Sequence, residues 1–191
     1  MNYHNIIHDD MRNGDGLRVT LFLSGCTHHC PNCHNPETWD KNSGIPFDSK
    51  AKQELYEELA KPYVDGITLS GGDPLAPFNR EETLLLIKDI KENFPDKTIW
   101  VYTGYTKATL KNELFKESAS YSKTVWDKIT PLIDVIVTGP FVESLKNVNY
   151  EWAGSTNQEV LRKESNFTVN TSKISKDFDA DYTEYEPDCC G

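Results

Sequence analysis

Four short runs rich in β-branched and aromatic residues recur along the chain: 17–24 (LRVTLFLS), 64–70 (VDGITLS), 97–102 (KTIWVY) and 134–138 (DVIVT). Runs of this length and composition predict strands. Each closes on a glycine-bearing turn: Gly25, then Gly71-Gly72-Asp73-Pro74, then Thr103-Gly104, then Gly139-Pro140. Between them lie segments with helical spacing. Residues 49–61, behind Asp48 or Ser49 as a cap, place Leu55 and Leu59 on one face. Residues 79–93 turn Leu84, Leu85, Ile87 and Ile90 inward, and shorter helical segments are predicted over 106–117 and 122–132. Strands alternating with helices predict a parallel sheet, because a parallel neighbour is reached only through a long crossover. Right-handed crossovers then bring every post-strand loop to the same edge of the sheet. The expected fold is α/β, a partial (incomplete) β/α barrel with a mainly parallel sheet. At 191 residues the chain falls short of the ~250 of a complete eight-fold barrel.

Beyond about residue 143 the pattern weakens. Short strands are expected at 160–162 and 166–169, and residues 171–191 read as a loosely packed acidic tail. The expected organisation is one unit over 1–160 and a partly disordered C-terminal extension over 161–191. A net charge of −10 and a pI near 4.9 argue against a surface that tracks nucleic-acid phosphates. No apolar run reaches the ~18 residues of a membrane span, and the N-terminus lacks the apolar segment of a signal peptide. No membrane partner and a cytoplasmic location are therefore expected.

Of the five cysteines, Cys26, Cys30 and Cys33 crowd into one loop after the first predicted strand, and Cys189 and Cys190 end the chain. An odd number so arranged makes a poor disulfide framework and a good metal loop. Three thiolates on one loop suit a [4Fe–4S] cluster whose fourth iron keeps an open position. They also suit a structural Cys3His zinc site in which His28, His29 or His34 is the fourth ligand. The C-x3-C-x2-C spacing is an uncommon one for zinc. The loop runs to about Pro46, far longer than the usual ~2–6 residues of a βα connection. Vicinal Cys189-Cys190 would be capable of thiol exchange on a mobile tail, or would be incidental.

The cysteine spacing after the first strand, followed by SGGDP after the second, resembles the radical S-adenosylmethionine superfamily. Within it the chain looks like the glycyl-radical-enzyme activases, in particular the activating proteins of anaerobic ribonucleoside-triphosphate reductase. The blocks that carry the likeness are MNYH (1–4), NGDGLR (13–18), CTHHCPNCHNPETW (26–39), SGGDPL (70–75), WVYTGY (100–105), DVIVTGPF (134–141) and WAGSTNQ (152–158). The resemblance implies a [4Fe–4S] cluster on Cys26, Cys30 and Cys33, with S-adenosyl-L-methionine chelating the open iron. It places Asn32, Cys33 and His34 along the S-adenosylmethionine pocket and gives the amino-acid end to Gly71, Gly72 and Asp73. Thr103, with Gly104 and Thr138, is a candidate contact to ribose or carboxylate. Asn32 stands where many members of the superfamily have an adenine-stacking aromatic residue. The implied reaction is reductive cleavage of S-adenosylmethionine to a radical that takes hydrogen from a glycine of the large reductase subunit. The electron would come from a flavodoxin- or ferredoxin-type donor, and no catalytic acid or base is expected. Alternatives are an activase for a pyruvate formate-lyase type enzyme, a small-molecule radical synthase, and a zinc-binding interaction module.

Overall fold

The computed structural model describes residues 1–114 and 123–168. Its centre is a sheet of seven strands: β1 (Asn2–Asp10), β2 (Arg18–Leu23), β3 (Ile45–Pro46), β4 (Gly66–Gly71), β5 (Thr98–Tyr102), β6 (Val135–Thr138) and β7 (Glu159–Arg162). The spatial order is β3-β1-β2-β4-β5-β6-β7. The four central strands β2, β4, β5 and β6 are parallel, while β1, β3 and β7 join antiparallel at the flanks. The result is an open mixed α/β sheet with a parallel centre.

The helices among the described residues are α1 (Ser49–Leu59), α2 (Arg80–Asn93), α3 (Lys107–Asn112) and α4 (Val125–Ile129). Asp48 caps α1, accepting from the Lys50 and Ala51 amides, which satisfies two amides that lack a partner within the helix. Apolar residues of all four helices join one core with Val19, Leu21, Leu23, Ile67, Leu69, Ile99, Val101 and Ile136. Those strand residues alternate with Arg18, Thr20, Phe22, Thr68, Ser70, Thr98, Trp100 and Tyr102. Successive strand side chains point to opposite faces, so the helices cover one face and leave a largely polar one behind.

Several boundaries differ from expectation. β1 was not anticipated, because its sequence NYHNIIHDD offers few apolar residues. It forms by antiparallel pairing to β2 and buries Tyr3 and Ile6. Leu85 does not face inward: it is 59% exposed, and Leu86 takes the core position. With 3.6 residues per turn, Thr83, Leu84, Leu86, Ile87 and Ile90 share the buried stripe. The third helix stops at Asn112, where Leu114 pairs with Thr124, and the fourth covers only Val125–Ile129. No strand forms over the described part of 166–169; Asn166 adopts a left-handed conformation that ends a short 3-10 turn. Strand β7 reaches Arg162, and Phe167 packs into the core. Residues 171–191, including Cys189 and Cys190, lie outside the described residues.

The contrast between two leucines gives a direct test of this packing. Leu69→Ala removes a fully buried side chain and is expected to cost about 2–5 kcal/mol in urea unfolding. Leu85→Ala is expected to stay within about 0.5 kcal/mol of the parent.

Candidate cluster and ligand site

The parallel strands are in register at their carboxyl ends. Leu23, the last residue of β2, pairs with Gly71, the last of β4. The cysteine loop and the Gly71-Gly72-Asp73 turn therefore leave the sheet side by side. The Gly72 amide donates to the Leu23 carbonyl at 2.8 Å and the Asp73 amide to the Gly25 carbonyl at 2.7 Å. A Cβ on Gly72 would lie 2.5 Å from that Gly25 carbonyl oxygen. Only glycine allows the turn to run this close to the start of the loop.

The cysteine loop is closed at its base, where Gly25 and Cys26 donate to the carbonyls of Thr38 and Trp39. Cys26, Cys30 and Cys33 are all partly exposed and free. Burial pushes the Cys26 thiol up to about 11 and raises that of Cys30. The backbone N–H groups of His28 and His29 offset part of this at Cys26, as that of Phe141 does at Cys30. The Asn35 amide donates to the Cys33 sulfur at 3.4 Å. Partly desolvated thiols with N–H donors around them become good thiolate ligands once a cation balances their charge.

The later loops reach the same place. Thr103 at the end of β5 is buried and donates to Asp73. The Tyr105 ring meets His28 edge-on at 4.6 Å, and Phe141 lies 5.8 Å from His34. The WAGSTNQ segment braces the loop after β6. Asn157 Nδ2 donates to the Pro140 carbonyl and Gln158 Nε2 to that of Gly139, while Trp152 packs edge-on against Trp100.

Of the residues named from sequence, Cys26, Cys30, Cys33, Gly71, Gly72, Asp73 and Thr103 thus gather at one sheet edge. Asn32 and His34 sit exposed on the rim of the loop, and Asn32 takes a positive φ of 55° that asparagine tolerates well. Thr138 is buried, with Glu159 as its side-chain neighbour. Asn79 escaped the sequence reading. It is 2% exposed and donates through Nδ2 to the carbonyls of Ser24 and Asp73, tying the start of α2 to both site turns. Its only signal was a polar residue at a helix start.

Two of the three imidazoles available as a fourth zinc ligand have other work. His28 faces Asp73, and His29 Nδ1 lies 3.1 Å from the Thr27 carbonyl. Among the described residues, no three His, Cys, Asp or Glu side chains converge to hold a single metal ion. Three soft thiols spread along one loop fit a polynuclear iron–sulfur group.

The family model described as a 4Fe-4S single cluster domain matches residues 12–161. Relatives named anaerobic ribonucleoside-triphosphate reductase-activating protein extend the match. The one from Escherichia coli strain K12 is 42% identical over 162 residues, 84% of this chain and 97% of the relative. The chain belongs to this activating-protein family. The Pasteurella multocida member is 40% identical over 164 residues, covering 85% of this chain and 98% of its own length. A phage T4 member is 39% identical over 161 residues, with 84% and 93% covered. The cofactors are accordingly a [4Fe–4S] cluster and S-adenosylmethionine. No helix among the described residues is long and apolar enough to cross a membrane.

Proposed function

We propose that this protein activates an anaerobic ribonucleoside-triphosphate reductase by placing a glycyl radical on its large subunit. The carrying observation is the register of β2 and β4, which holds the cysteine loop against the Gly71-Gly72 turn. Cys26, Cys30 and Cys33 would hold three irons, leaving one coordination position for the amino-acid end of S-adenosylmethionine. When bound, the cluster supplies the electron that splits the sulfonium of S-adenosylmethionine, giving methionine and a carbon radical that takes hydrogen from a reductase glycine.

The chain's own part is to bind and orient. Gly71 and Gly72 present bare backbone to the amino-acid end, and Asn32 and His34 flank the third cysteine. With no aromatic ring at Asn32, Phe141 beside His34 would shield the adenine side. The carboxyl-end part of the helix-free face, where Phe22, Ser70 and Tyr102 are only partly buried, would make the inner wall of a partial barrel. There it would receive the extended glycine-bearing segment of the reductase. Residues 1–160 would make this unit, with 161–191 as its extension. A flavodoxin- or ferredoxin-type protein would supply the electron, and the reaction would run in the cytoplasm.

Mixing reduced, cluster-loaded protein with S-adenosylmethionine and the reductase, followed by electron paramagnetic resonance, tests this. A glycyl doublet on the reductase is the expected result. Methionine release with no protein radical would instead assign a small-molecule substrate. Stoichiometric zinc and no iron in anaerobically purified protein would overturn the reading altogether.

A further inference from the structure

The cysteine loop is hydrogen-bonded through its backbone at the base, and the segment between Cys26 and Cys30 carries a part-buried side-chain tie at His28, beside an exposed 3.5 Å contact of the Thr27 and Tyr105 hydroxyls. His28 Nε2 lies 2.8 Å from Asp73 Oδ2. An ionised carboxylate only accepts, so the imidazole is the donor. The pair bridges 45 positions of sequence and joins the cluster loop to the turn that follows β4.

Asp73 is 1% exposed and fully engaged. The Leu75 amide donates to Oδ1 at 2.8 Å, the Gly104 amide to Oδ2 at 3.0 Å, and Thr103 Oγ1 lies 2.9 and 3.0 Å from the two oxygens. With His28 this fills about the four lone-pair sites a carboxylate offers. Little acceptor capacity is left for a ligand ammonium. The carboxylate is instead a fixed post on the sheet edge, held by both β4 and β5.

His28 is equally constrained. A Cβ on Gly104 would fall 2.3 Å from His28 Cδ2, so glycine at 104 is what lets the imidazole lie flat on this turn. The Tyr105 ring closes its other side at 4.6 Å, and the Arg80 guanidinium stacks over Tyr105 in turn.

We propose that the His28–Asp73 pair is a positioning strut that sets the spacing between the cluster loop and the Gly71-Gly72 turn. A ligand that must chelate an iron and reach the glycine turn at once needs that spacing held to well under an ångström. Neither residue then touches the reacting atoms, and Asp73 serves S-adenosylmethionine through His28. The effect on S-adenosylmethionine rests on the ligand assignment to Cys26, Cys30 and Cys33; the strut itself does not.

The test compares the parent with His28→Ala and His28→Gln, since the Gln amide nitrogen can take the place of Nε2–H. In metal-free protein, iodoacetamide labelling is followed at each cysteine by mass spectrometry. His28→Ala is expected to speed labelling of Cys26 and Cys30 by about tenfold and of Cys33 by under about twofold, as the strutted segment opens. His28→Gln is expected to return both to near the parent rate. In loaded protein, KM for S-adenosylmethionine is expected to rise about tenfold in His28→Ala, while kcat per loaded cluster moves less than about threefold. Unchanged labelling of Cys26 and Cys30 would overturn the strut, and so would equal acceleration at all three cysteines. Altered labelling with an unaltered S-adenosylmethionine requirement would overturn the positioning role. If His28→Ala takes up no cluster, the metal-free labelling still decides. A wrong ligand assignment would show separately, as iron retained after a cysteine is replaced.

Discussion

Cys26→Ala, Cys30→Ala and Cys33→Ala, taken singly, are each expected to abolish methionine release from S-adenosylmethionine. Iron and sulfide analysis of the same proteins should find the cluster absent or much depleted. Three thiolates on one loop leave a single iron open, and a cluster that keeps only two protein ligands is neither held nor presented at a defined angle. The loss is therefore expected to exceed about 10³-fold, more than removal of one positioning hydrogen bond produces. The fold should survive, because all three side chains are partly exposed and none belongs to the apolar core. Circular dichroism and the urea midpoint of the metal-free proteins check this. Cys189→Ala and Cys190→Ala are expected to leave methionine release intact. Equal losses at those two positions would mean the ligands are misassigned.

The second large effect is expected at the other end of the parallel strands. Arg18 is fully buried, and burial pushes its guanidinium down to about 10, so it remains charged at neutral pH. Nε donates to Thr68 Oγ1, Nη1 to Thr98 Oγ1 and the Asp15 carbonyl, and Nη2 to the carbonyls of Ile67 and Thr98. Trp100 lies against its face at 5.3 Å. Arg18→Ala would strip donors from these acceptors and leave a cavity where β2, β4 and β5 begin. The expected cost is about 3–5 kcal/mol in urea unfolding at pH 7, with an unchanged m-value. Arg18→Lys should recover little, since one ammonium cannot span the fork of acceptors. A change below about 1 kcal/mol would show that water or neighbouring groups satisfy the site instead.

Much of the architecture was legible because the signals are local. The β-branched and aromatic run LRVTLFLS became β2, and the structure buries its Val19, Leu21 and Leu23 under the helices. Residues 64–70 and 97–102 likewise became β4 and β5 with small shifts at their ends. β1 was missed because a polar strand is made by its partner: pairing with β2, rather than its own apolar pattern, holds Asn2–Asp10 extended. Leu85 was misplaced because three consecutive leucines leave the helical phase ambiguous until the packing against the sheet selects Leu84 and Leu86.

The cysteine triad and its place in the chain were a matter of sequence alone. Ligand type and spacing lie within one loop, which left iron–sulfur and zinc both open. The resemblance carried by that loop together with SGGDP implied the cluster without any tertiary contact. What only the tertiary structure decided was how that loop is held. Asp73 meets His28 across 45 positions, and Arg18 meets Thr98 across 80. Such partners are chosen by the register of parallel strands whose crossovers are long. Neither residue's immediate neighbours in the chain carry any trace of that choice.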